Sequence, residues 1–326
     1  MTSTVFIDGE AGTTGLQIRE RLAGRSDLTL LSIDPARRKE LAARTEALNA
    51  ADVVILCLPD EAAKESVSLI ANTRTRVIDA STAHRVAPGW VYGFAEMDRG
   101  QRERIAAASR VANPGCHATG VIALIKPIVD KGLLPKDFPV TAQTVTGYSG
   151  GGKSLIAQYE TGGLPQGSHD DVRIYGLNLA HKHLPEIVAN TGLIEPPVFA
   201  PQVGRFAQGM LVEVPLPLWA MSGKPTPAAL REALAETYSG NRFVTVAGSE
   251  ETAEIQVARA GVGDYMAALD PESYSNTNDL KIFVFGSKDG KQARLVALFD
   301  NLGKGASGAA VQNLNIMIGA DEATGL

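Results

Sequence analysis

Apolar positions in the first third of the chain alternate between short continuous runs and helically spaced sets. Val5 to Ile7 is a short apolar run that ends at a glycine-rich turn, and Val53 to Leu58 is a longer one. Segments with helical spacing follow them, at Leu16 to Ala23 and at Glu61 to Ala71. Continuous apolar strands separated by helices are typical of a parallel sheet covered on both faces. We therefore predict a doubly wound, Rossmann-type α/β domain.

The pattern changes after Cys116. Gly120 to Val129 has the pattern of a buried helix. Longer strand-like runs follow at Thr141 to Thr146, Met210 to Leu216, Leu280 to Phe285 and Ala293 to Phe299. Asp289-Gly290 between the last two is a strong hairpin signal. This half predicts an α+β domain with a mostly antiparallel sheet. The helically spaced segment from Gly308 to Ile318 is expected to return to the first domain.

Composition narrows the class of protein. The 326 residues are 44% hydrophobic and 21% charged, with a net charge of −5, which is ordinary for a soluble protein and argues against a nucleic-acid binder. No apolar run approaches the roughly 20 residues that span a bilayer, and the N-terminus lacks the features of a signal peptide. The two cysteines, Cys57 and Cys116, do not suggest a disulfide framework. We expect a cytoplasmic protein without a membrane partner.

A glycine-rich turn joins the first predicted strand to the first predicted helix. Gly9, Gly12 and Gly15 have the spacing G-x-x-G-x-x-G, with Thr13 and Thr14 between the last two. Glycines at this place let the backbone approach a pyrophosphate, whose charge the helix N-terminus stabilises. The spacing differs from the G-x-G-x-x-G fingerprint, and a plain strand-to-helix turn is the alternative. Its position at the start of a βαβ run favours a dinucleotide site.

Residues after the second predicted strand bear on which dinucleotide binds. Asp34 lies about where an acid would hold the ribose 2′-hydroxyl of NAD. It is followed by Arg37, Arg38 and Lys39. Guanidinium groups suit the 2′-phosphate of NADP because arginine binds phosphate bidentately. We predict NADP, with Arg37 and Arg38 as the 2′-phosphate contacts; a solvated start of a helix is the alternative.

Cys116 follows Asn113-Pro114-Gly115 at the entry to an apolar helix. A thiol at a helix N-terminus meets backbone N–H groups and the positive end of the helix dipole, both of which favour the nucleophilic thiolate. The same N–H groups suit an oxyanion on a substrate. Cys57 lies inside the apolar run Val-Val-Ile-Leu-Cys-Leu and is predicted to be a core residue.

Two further motifs carry polar chemistry. Ala180-His181-Lys182-His183-Leu184-Pro185-Glu186 supplies histidines, which suit proton transfer because their pKa lies near neutrality. No metal site is predicted, since no third ligand has suitable spacing. The run Thr146 to Lys153 follows a strand and is very rich in glycine, so its N–H groups and Lys153 would suit a phosphate or carboxylate. A flexible linker is the alternative there.

These motifs together resemble N-acetyl-gamma-glutamyl-phosphate reductase, in its shorter type, and aspartate-semialdehyde dehydrogenase is the sister family. The resemblance rests on the glycine turn, Asn-Pro-Gly-Cys, the histidine motif and Asp300-Asn301-Leu302-Gly303, and it covers nearly the whole chain. It implies His181 as the acid/base, with Glu186 as an orienting partner. It also implies cofactor contacts from Ser81, Gly150 and Asn301.

The resemblance implies a reaction as well. NADPH-dependent reduction of N-acetyl-gamma-glutamyl phosphate to N-acetylglutamate 5-semialdehyde would run through a thioester on Cys116, in arginine biosynthesis. Substrate contacts are expected from Arg85, Ser149, Lys153 and His183, with the choice between His181 and His183 as acid/base still open. His84, His117 and His169 are left as structural residues.

Domain roles follow from the same motifs. Residues 1–117 with about 300–326 are expected to bind NADP, and 118–299 to form the catalytic and dimerisation domain. A small-molecule acyl phosphate is the expected partner, in a homo-oligomer that is a dimer or a tetramer. Two alternatives remain, namely an aspartate-semialdehyde dehydrogenase acting on aspartyl phosphate, and an NADPH-binding regulator without turnover.

Overall fold

The structure is a computed structural model that describes residues 2–38, 40–160, 170–257 and 267–326. Two residues of the sequence analysis, Lys39 and His169, lie outside the described residues. Helices and strands are numbered below in chain order.

The chain divides into two compact units. Unit 1 consists of Met1–Gly115 and Gly305–Leu326, and unit 2 is Cys116–Lys304. Cys116 and His117 therefore lie in unit 2 rather than at the end of the first domain, where the expected boundary put them.

Unit 1 is built on a parallel sheet. Its strands are β1 Ser3–Asp8, β2 Leu28–Leu31, β3 Val53–Leu56, β4 Arg76–Asp79, β5 Val91–Tyr92 and β6 Arg110–Ala112. They are arranged in the order β2-β1-β3-β4-β6-β5, and every pairing between the described strands is parallel. The order reverses at β1, as a doubly wound sheet requires, so the predicted Rossmann-type domain is confirmed.

Alternate residues of the central strands of unit 1 enter two different cores. Val5 and Ile55 belong to a cluster that also contains residues of the C-terminal helix, whereas Phe6 and Val54 belong to a second cluster. Successive side chains of a strand point to opposite faces, which is why continuous apolar strands need helices on both sides. The helices are α1 Thr13–Leu22, α2 Leu41–Ala50, α3 Asp60–Ser68, α4 Gln101–Ala107 and α10 Gly308–Ile318.

Unit 2 is built on a mixed sheet. Its strands are β7 Thr141–Gly147, β8 Val172–Ile174, β9 Val198–Gly204, β10 Met210–Pro217, β11 Val244–Val246, β12 Leu280–Gly286 and β13 Gln292–Phe299. They are arranged in the order β11-β12-β13-β10-β7-β9-β8. The pairs β11–β12 and β7–β9 are parallel, and the other four pairs are antiparallel. The predicted mostly antiparallel sheet is therefore found, with two parallel pairings that the sequence pattern did not indicate.

One long helix occupies the centre of unit 2. The helices of this unit are α5 Cys116–Asp130, α6 Gly152–Glu160, α7 Leu184–Thr191, α8 Pro227–Tyr238 and α9 Ser249–Val257. Nearly every residue of α5 is buried, and a Cβ on Gly120 would lie 2.5 Å from Val212 of β10. The helix therefore lies directly against the sheet, and this close approach fixes the position of its first residue, Cys116.

Among the described residues, no helix combines the length and the apolar character needed to cross a membrane.

Candidate active site

The glycine turn of unit 1 is tightly folded. Gly9 has a φ of +89°, and a Cβ there would lie 2.4 Å from the carbonyl oxygen of Cys57. A Cβ on Gly15 would lie 2.6 Å from the carbonyl oxygen of Gly9. These two glycines are therefore required by the turn itself. Gly12 has an ordinary φ of −77°, and a Cβ there would lie 3.4 Å from the carbonyl oxygen of Gly9, an ordinary van der Waals contact, so the turn itself does not require a glycine at this position.

The N-terminus of α1 is suited to an anion. Gly12 is the N-cap, no side chain caps the helix by a hydrogen bond, and no acidic residue lies in the first turn. Thr13 and Thr14 are the first residues of the helix and are half-buried. The positive end of the helix dipole and the backbone amides of this turn would bind a phosphate group without further help.

The two arginines after β2 differ in what they contact. Arg38 forms an ion pair with Glu10 of the glycine turn, with 3.0 Å between Nη2 and Oε1. Arg37 pairs with Glu40 at 2.9 Å, and the hydrogen bond from this carboxylate raises the pKa of Arg37. Asp34 accepts a hydrogen bond from the amide of Ala36 at 2.8 Å and caps the short helical turn that follows. Arg38 is therefore the arginine whose guanidinium reaches the glycine turn.

The side chains of Ser81 and His84 both contact the carboxylate of Asp79, at the end of β4. The Ser81 hydroxyl donates to Oδ2 of Asp79 at 2.7 Å, and Nδ1 of His84 lies 2.6 Å from the same oxygen. His84 also stacks on Trp90, with ring centroids 4.1 Å apart. Arg85 donates to the carbonyl of Asn113 at 3.1 Å. This loop lies at the carboxyl end of a parallel strand, where ligands of doubly wound sheets bind.

Cys57 is in the apolar environment that the sequence analysis expected. It packs against the main hydrophobic cluster of unit 1. Burial, together with the negative charges of Asp79 and Asp8, raises the pKa of its thiol to about 12. Cys57 is therefore a protonated, unreactive thiol at neutral pH.

Cys116 begins α5, and neither it nor Cys57 is in a disulfide. The predicted helix started at Gly120, so the observed one is longer and puts the thiol on its first residue. Cys116 and Cys57 are both half-buried, so the difference between the two thiols rests on their electrostatic surroundings. A thiol in this position meets the positive end of a buried helix, as a nucleophilic cysteine requires.

His117 is part of this site, although the sequence analysis left it structural. Its Nδ1 lies 2.9 Å from the hydroxyl of Thr144, and its Nε2 lies 2.8 Å from the hydroxyl of Tyr175. Burial, together with the positive charges of His181 and Lys182, lowers the pKa of His117 to about 3. The ring is therefore neutral at physiological pH. Its place beside Cys116 in the sequence was the one signal for this role.

Tyr175 is a second residue that the sequence analysis missed. It follows β8, and its hydroxyl contacts His117, as described above. Burial raises the pKa of Tyr175, and the negative charge of a Cys116 thiolate raises it further. The phenol thus keeps its proton and is a hydrogen-bond donor near the thiol. Nothing in its local sequence pattern indicated this contact, which comes from the tertiary fold.

His181 and His183 come together with His117. The ring of His181 lies 5.3 Å from that of His117 and 4.7 Å from that of His183, measured between centroids. The backbone amide of His183 donates to Nδ1 of His181 at 3.2 Å. A neutral His181 therefore carries its proton on Nε2. His183 is buried, whereas His181 is half-buried.

Glu186 lies in the first turn of α7 and is 1% exposed. Its Oε1 is 3.9 Å from Nε2 of His183, so it forms an ion pair with this histidine when the ring is protonated. The sequence analysis expected Glu186 to orient His181. The structure brings the Glu186 carboxylate near His183, and its role towards His181 stays a prediction.

The glycine-rich loop after β7 is held by Asn301. This side chain is 1% exposed, accepts from the amide of Gly209 at 3.0 Å and donates to the hydroxyl of Ser149 at 3.1 Å. Gly150 and Lys153 are exposed, the latter in the first turn of α6. Asn301 therefore has a structural function in unit 2, which adds to the cofactor contact expected of it.

The chemistry available in unit 2 is that of acyl transfer. A thiol at a helix N-terminus lies near a buried neutral imidazole, a protonated phenol and a histidine that presents an N–H. A thiolate supplies the nucleophile, and the N–H and O–H groups are suited to stabilise an oxyanion on a carbonyl carbon that it attacks.

Family models match both units. Residues 116–301 match the model described as "Semialdehyde dehydrogenase, dimerisation domain", and residues 20–108 match "Semialdehyde dehydrogenase, NAD binding domain".

Known proteins are similar over the whole chain. N-acetyl-gamma-glutamyl-phosphate reductase 2 of Nostoc sp. is 50% identical, covering 99% of this chain and 98% of that protein. The N-acetyl-gamma-glutamyl-phosphate reductase of Brucella ovis is 52% identical, covering 98% and 100%. Among solved structures, aspartate semialdehyde dehydrogenase II from Vibrio cholerae has a TM-score of 0.71 at 15% identity, with 98% and 99% of the two chains covered. This last likeness is one of fold.

Proposed function

Because this chain belongs to the N-acetyl-gamma-glutamyl-phosphate reductase family, we propose that it reduces N-acetyl-gamma-glutamyl phosphate to N-acetylglutamate 5-semialdehyde with NADPH, releasing phosphate, in arginine biosynthesis. One observation carries the proposal beyond family membership: Cys116 begins α5 among His117, Tyr175 and His181. An acyl-phosphate reductase of this kind requires such a nucleophile with oxyanion-stabilising donors.

The residues of unit 1 fit NADPH. The N-terminus of α1, which no side chain caps, suits the pyrophosphate, and Arg38, which reaches the same turn, suits the 2′-phosphate. We propose contacts from Gly9, Gly12, Thr13, Thr14 and Gly15. Further contacts are proposed from Arg37, Arg38, Ser81, Gly150 and Asn301. When bound, the cofactor supplies the hydride that the reduction needs.

Cys116 carries the covalent step. Its thiolate attacks the γ-carbonyl carbon, a C–S bond forms, and the C–O bond to phosphate breaks, so that a thioester remains. Reduction of this thioester gives a tetrahedral thiohemiacetal oxyanion on the same sulfur. The C–S bond then breaks, the aldehyde leaves and the thiolate is restored.

His181 interacts with the carbonyl-derived oxygen of these intermediates. The hydrogen bond from the His183 amide to Nδ1 keeps the proton of the neutral ring on Nε2. The Nε2–H group of His181 donates a hydrogen bond to the oxygen on which negative charge develops. Transfer of this proton to the oxygen would be the acid/base role expected of His181. Tyr175, which keeps its proton, is a second donor in the same cluster.

Substrate anions have candidate partners in both units. We propose that Arg85 binds the phosphate of the substrate, because a guanidinium binds phosphate bidentately. Ser149, Lys153 and His183 are proposed to contact the remaining polar groups. The exposed position of Lys153 in the first turn of α6 supports this role.

An aspartate-semialdehyde dehydrogenase acting on aspartyl phosphate is the second candidate function, favoured by the fold likeness alone. Reduction of NADP⁺ in the reverse direction separates the two. N-acetylglutamate 5-semialdehyde and aspartate 4-semialdehyde are each supplied with and without inorganic phosphate, and NADPH is followed by absorbance. We expect phosphate-dependent turnover with the acetylated substrate only. Turnover with aspartate semialdehyde alone would move the chain to the sister activity.

Cys116→Ala tests whether the reaction requires a thioester on Cys116, and Cys57→Ala is the matched control. The Cys116 variant should bind NADPH and lack turnover, whereas the Cys57 variant should retain turnover. Binding of NADPH without turnover in the unmodified protein would instead support the non-catalytic regulator.

We further propose that unit 1 is the NADP-binding domain and that unit 2 forms a homodimer, alone or within a tetramer. The description of the family model matched by 116–301 supports a homo-oligomer. Large apolar side chains are exposed along the edge strand β8 and the segment after it, with exposed fractions of 62% at Ile174, 80% at Leu177 and 65% at Leu179. Contiguous exposed apolar surface of this kind marks an interaction site.

Sedimentation velocity tests the assembly. The protein should sediment as a dimer or tetramer, and Leu177→Glu should shift it towards smaller species, whereas Val257→Glu, at another exposed apolar position, should not. A monomer in the unsubstituted protein would contradict the proposal.

A further inference from the structure

Three metal-ligating side chains meet at the thiol of unit 2. Cys116, His117 and His183 each offer one ligand atom, and these atoms all lie within 4.8 Å of one another. The sequence analysis expected no metal site because no third ligand had suitable spacing. The fold supplies that third ligand, since His183 is brought beside the adjacent pair Cys116 and His117.

One sulfur and two imidazole nitrogens are ligands that Zn²⁺ and related soft divalent cations prefer. In a tetrahedral zinc site, bond lengths of about 2.3 Å to sulfur and 2.0 Å to nitrogen put neighbouring ligand atoms about 3.3 to 3.6 Å apart. In the present cluster the ligand atoms lie within 4.8 Å of one another, so they would have to approach by up to about 1.2 to 1.5 Å, which requires small rotations of all three side chains. Three protein ligands leave a fourth position for water.

Residues around the cluster can orient the two histidines. The Thr144 hydroxyl, 2.9 Å from Nδ1 of His117, would fix one ring nitrogen while Nε2 turns from Tyr175 to a metal. Glu186 lies 3.9 Å from Nε2 of His183, which is longer than a hydrogen bond, and a small shift of the ring would let the carboxylate accept from Nε2 and leave Nδ1 for the metal. Hydrogen bonds of this kind from the second ring nitrogen are typical of histidine in metal sites.

We infer that Cys116, His117 and His183 form a binding site for one thiophilic divalent cation of the Zn²⁺ type, which competes with the acyl substrate for the thiol. Binding forms a sulfur–metal bond and releases the thiol proton to solvent where the thiol is protonated. The binding site stands on the geometry of the cluster. Inhibition rests on the proposed function as well, because it requires that Cys116 be the nucleophile.

Cobalt(II) titration tests the binding site without any turnover. A thiolate-to-cobalt charge-transfer band should appear in the near ultraviolet, saturate at one equivalent and disappear on addition of Zn²⁺. Cys116→Ser should abolish the band, and the matched variant Cys57→Ser should keep it. His183→Gln should weaken cobalt binding by more than about tenfold, since loss of even an outer partner of a metal site costs 10- to 100-fold.

A band that is unaffected by His183→Gln and His117→Gln, in variants with unchanged circular dichroism, would overturn the three-ligand site. A band that survives Cys116→Ser would overturn it too. A measurement on the unsubstituted protein does not depend on the folding of any variant. Zn²⁺ should protect Cys116 from alkylation by iodoacetamide, measured by peptide mass spectrometry. EDTA should restore the alkylation. Unchanged alkylation at saturating Zn²⁺ would overturn the inference.

Turnover separates the two parts of the inference. Zn²⁺ should inhibit phosphate-dependent reduction of NADP⁺, competitively with the aldehyde and reversibly with EDTA. Cobalt binding in a protein without turnover would sustain the site and refute the proposed function. Cobalt binding with unaffected turnover would overturn the competition with substrate.

Discussion

The backbone amide of His183 donates a hydrogen bond to Nδ1 of His181 over 3.2 Å. His181 and His183, which the sequence presents as equivalent candidates for the acid/base, are thereby in different environments. His181 is half-buried with its proton on Nε2, and His183 is buried beside Glu186. The geometry therefore favours His181 as the residue that faces the reacting oxygen.

Substitution of His181 should distinguish hydrogen-bond donation from proton exchange. We expect His181→Ala to lower kcat by about 10²- to 10⁴-fold, the range for loss of a catalytic acid or base. His181→Gln presents an amide N–H near the position of Nε2 and should recover at least about tenfold over alanine if donation is what matters. Equal kcat values for the two variants would mean that His181 must exchange a proton.

His183→Gln is the matched control for that series. It should change KM for the acyl substrate more than kcat if His183 contacts the substrate as proposed. A pH profile of kcat that loses its inflection in His183→Gln, and keeps it in His181→Gln, would reverse the two assignments.

The two thiols should differ in reactivity and in its dependence on pH. Iodoacetamide should modify Cys116 of the folded protein at neutral pH and leave Cys57, whose pKa is raised to about 12 by burial. Alkylation of Cys57 requires its thiolate, so its rate should be very low at neutral pH and should keep rising with pH to about 12 instead of levelling off near 9. Peptide mass spectrometry after timed quenching measures both sites, and faster labelling of Cys57 than of Cys116 at pH 7 would contradict this.

The same raised pKa predicts a loss of stability in alkali. The unfolded chain releases the Cys57 proton near the ordinary thiol value of 9.0, whereas the folded chain keeps it to about 12. The free energy of unfolding should therefore fall as the pH rises from about 9 towards 12. Urea unfolding at several pH values should show a shallower fall in Cys57→Ala, and parallel curves for both proteins would refute the assignment.

Arg38 and Arg37 should contribute unequally to the choice of NADPH over NADH. Arg38 reaches Glu10 in the glycine turn, whereas Arg37 is engaged with Glu40. We expect Arg38→Gln to weaken NADPH binding by about 10- to 100-fold, as loss of a charged hydrogen bond of about 1.5–3 kcal/mol implies, with NADH binding unchanged. Arg37→Gln should have a smaller effect. Fluorescence titration with both cofactors decides, and an equal loss for NADH would argue against a 2′-phosphate contact.

Substitutions of Gly9 and of Gly12 should have separate effects, the first on folding and the second on cofactor binding. Gly9→Ala puts a Cβ 2.4 Å from the Cys57 carbonyl oxygen at a φ of +89°, so it should lower the Tm. Gly12 has an ordinary φ, so Gly12→Ala should fold normally, but its methyl group should hinder the close approach of the pyrophosphate proposed at this turn and so weaken NADPH binding. Differential scanning fluorimetry with and without NADPH measures both effects. Unimpaired NADPH binding by Gly12→Ala would place the pyrophosphate elsewhere.

Much of the fold could be predicted from local pattern. Continuous apolar runs at β1 and β3 indicated a sheet buried on both faces, and the helical spacing of Gly308–Ile318 gave α10 correctly. The parallel pair β7–β9 escaped prediction. Pairing between strands depends on contacts across the sheet. The alternation of apolar and polar residues within one strand does not indicate which strand lies next to it.

Family membership was also readable in the sequence, from the glycine turn and from Asn113-Pro114-Gly115-Cys116. Motifs of this kind are local, because a tight turn or a helix N-terminus restricts the residue types at neighbouring positions. The full-length identity to the reductases agrees with that inference.

By itself, the sequence determined the architecture of unit 1, the family, and the cysteine that begins the buried helix of unit 2. Only the tertiary structure decided that His117 and Tyr175 stand beside that cysteine and that His181 and His183 differ. The physical reason is that a turn or a helix start is encoded by adjacent residues, whereas a cluster of side chains is assembled from segments that are distant in the chain. Their proximity is set by the packing of α5, β7, β8 and α7 in one unit, and no single segment carries it.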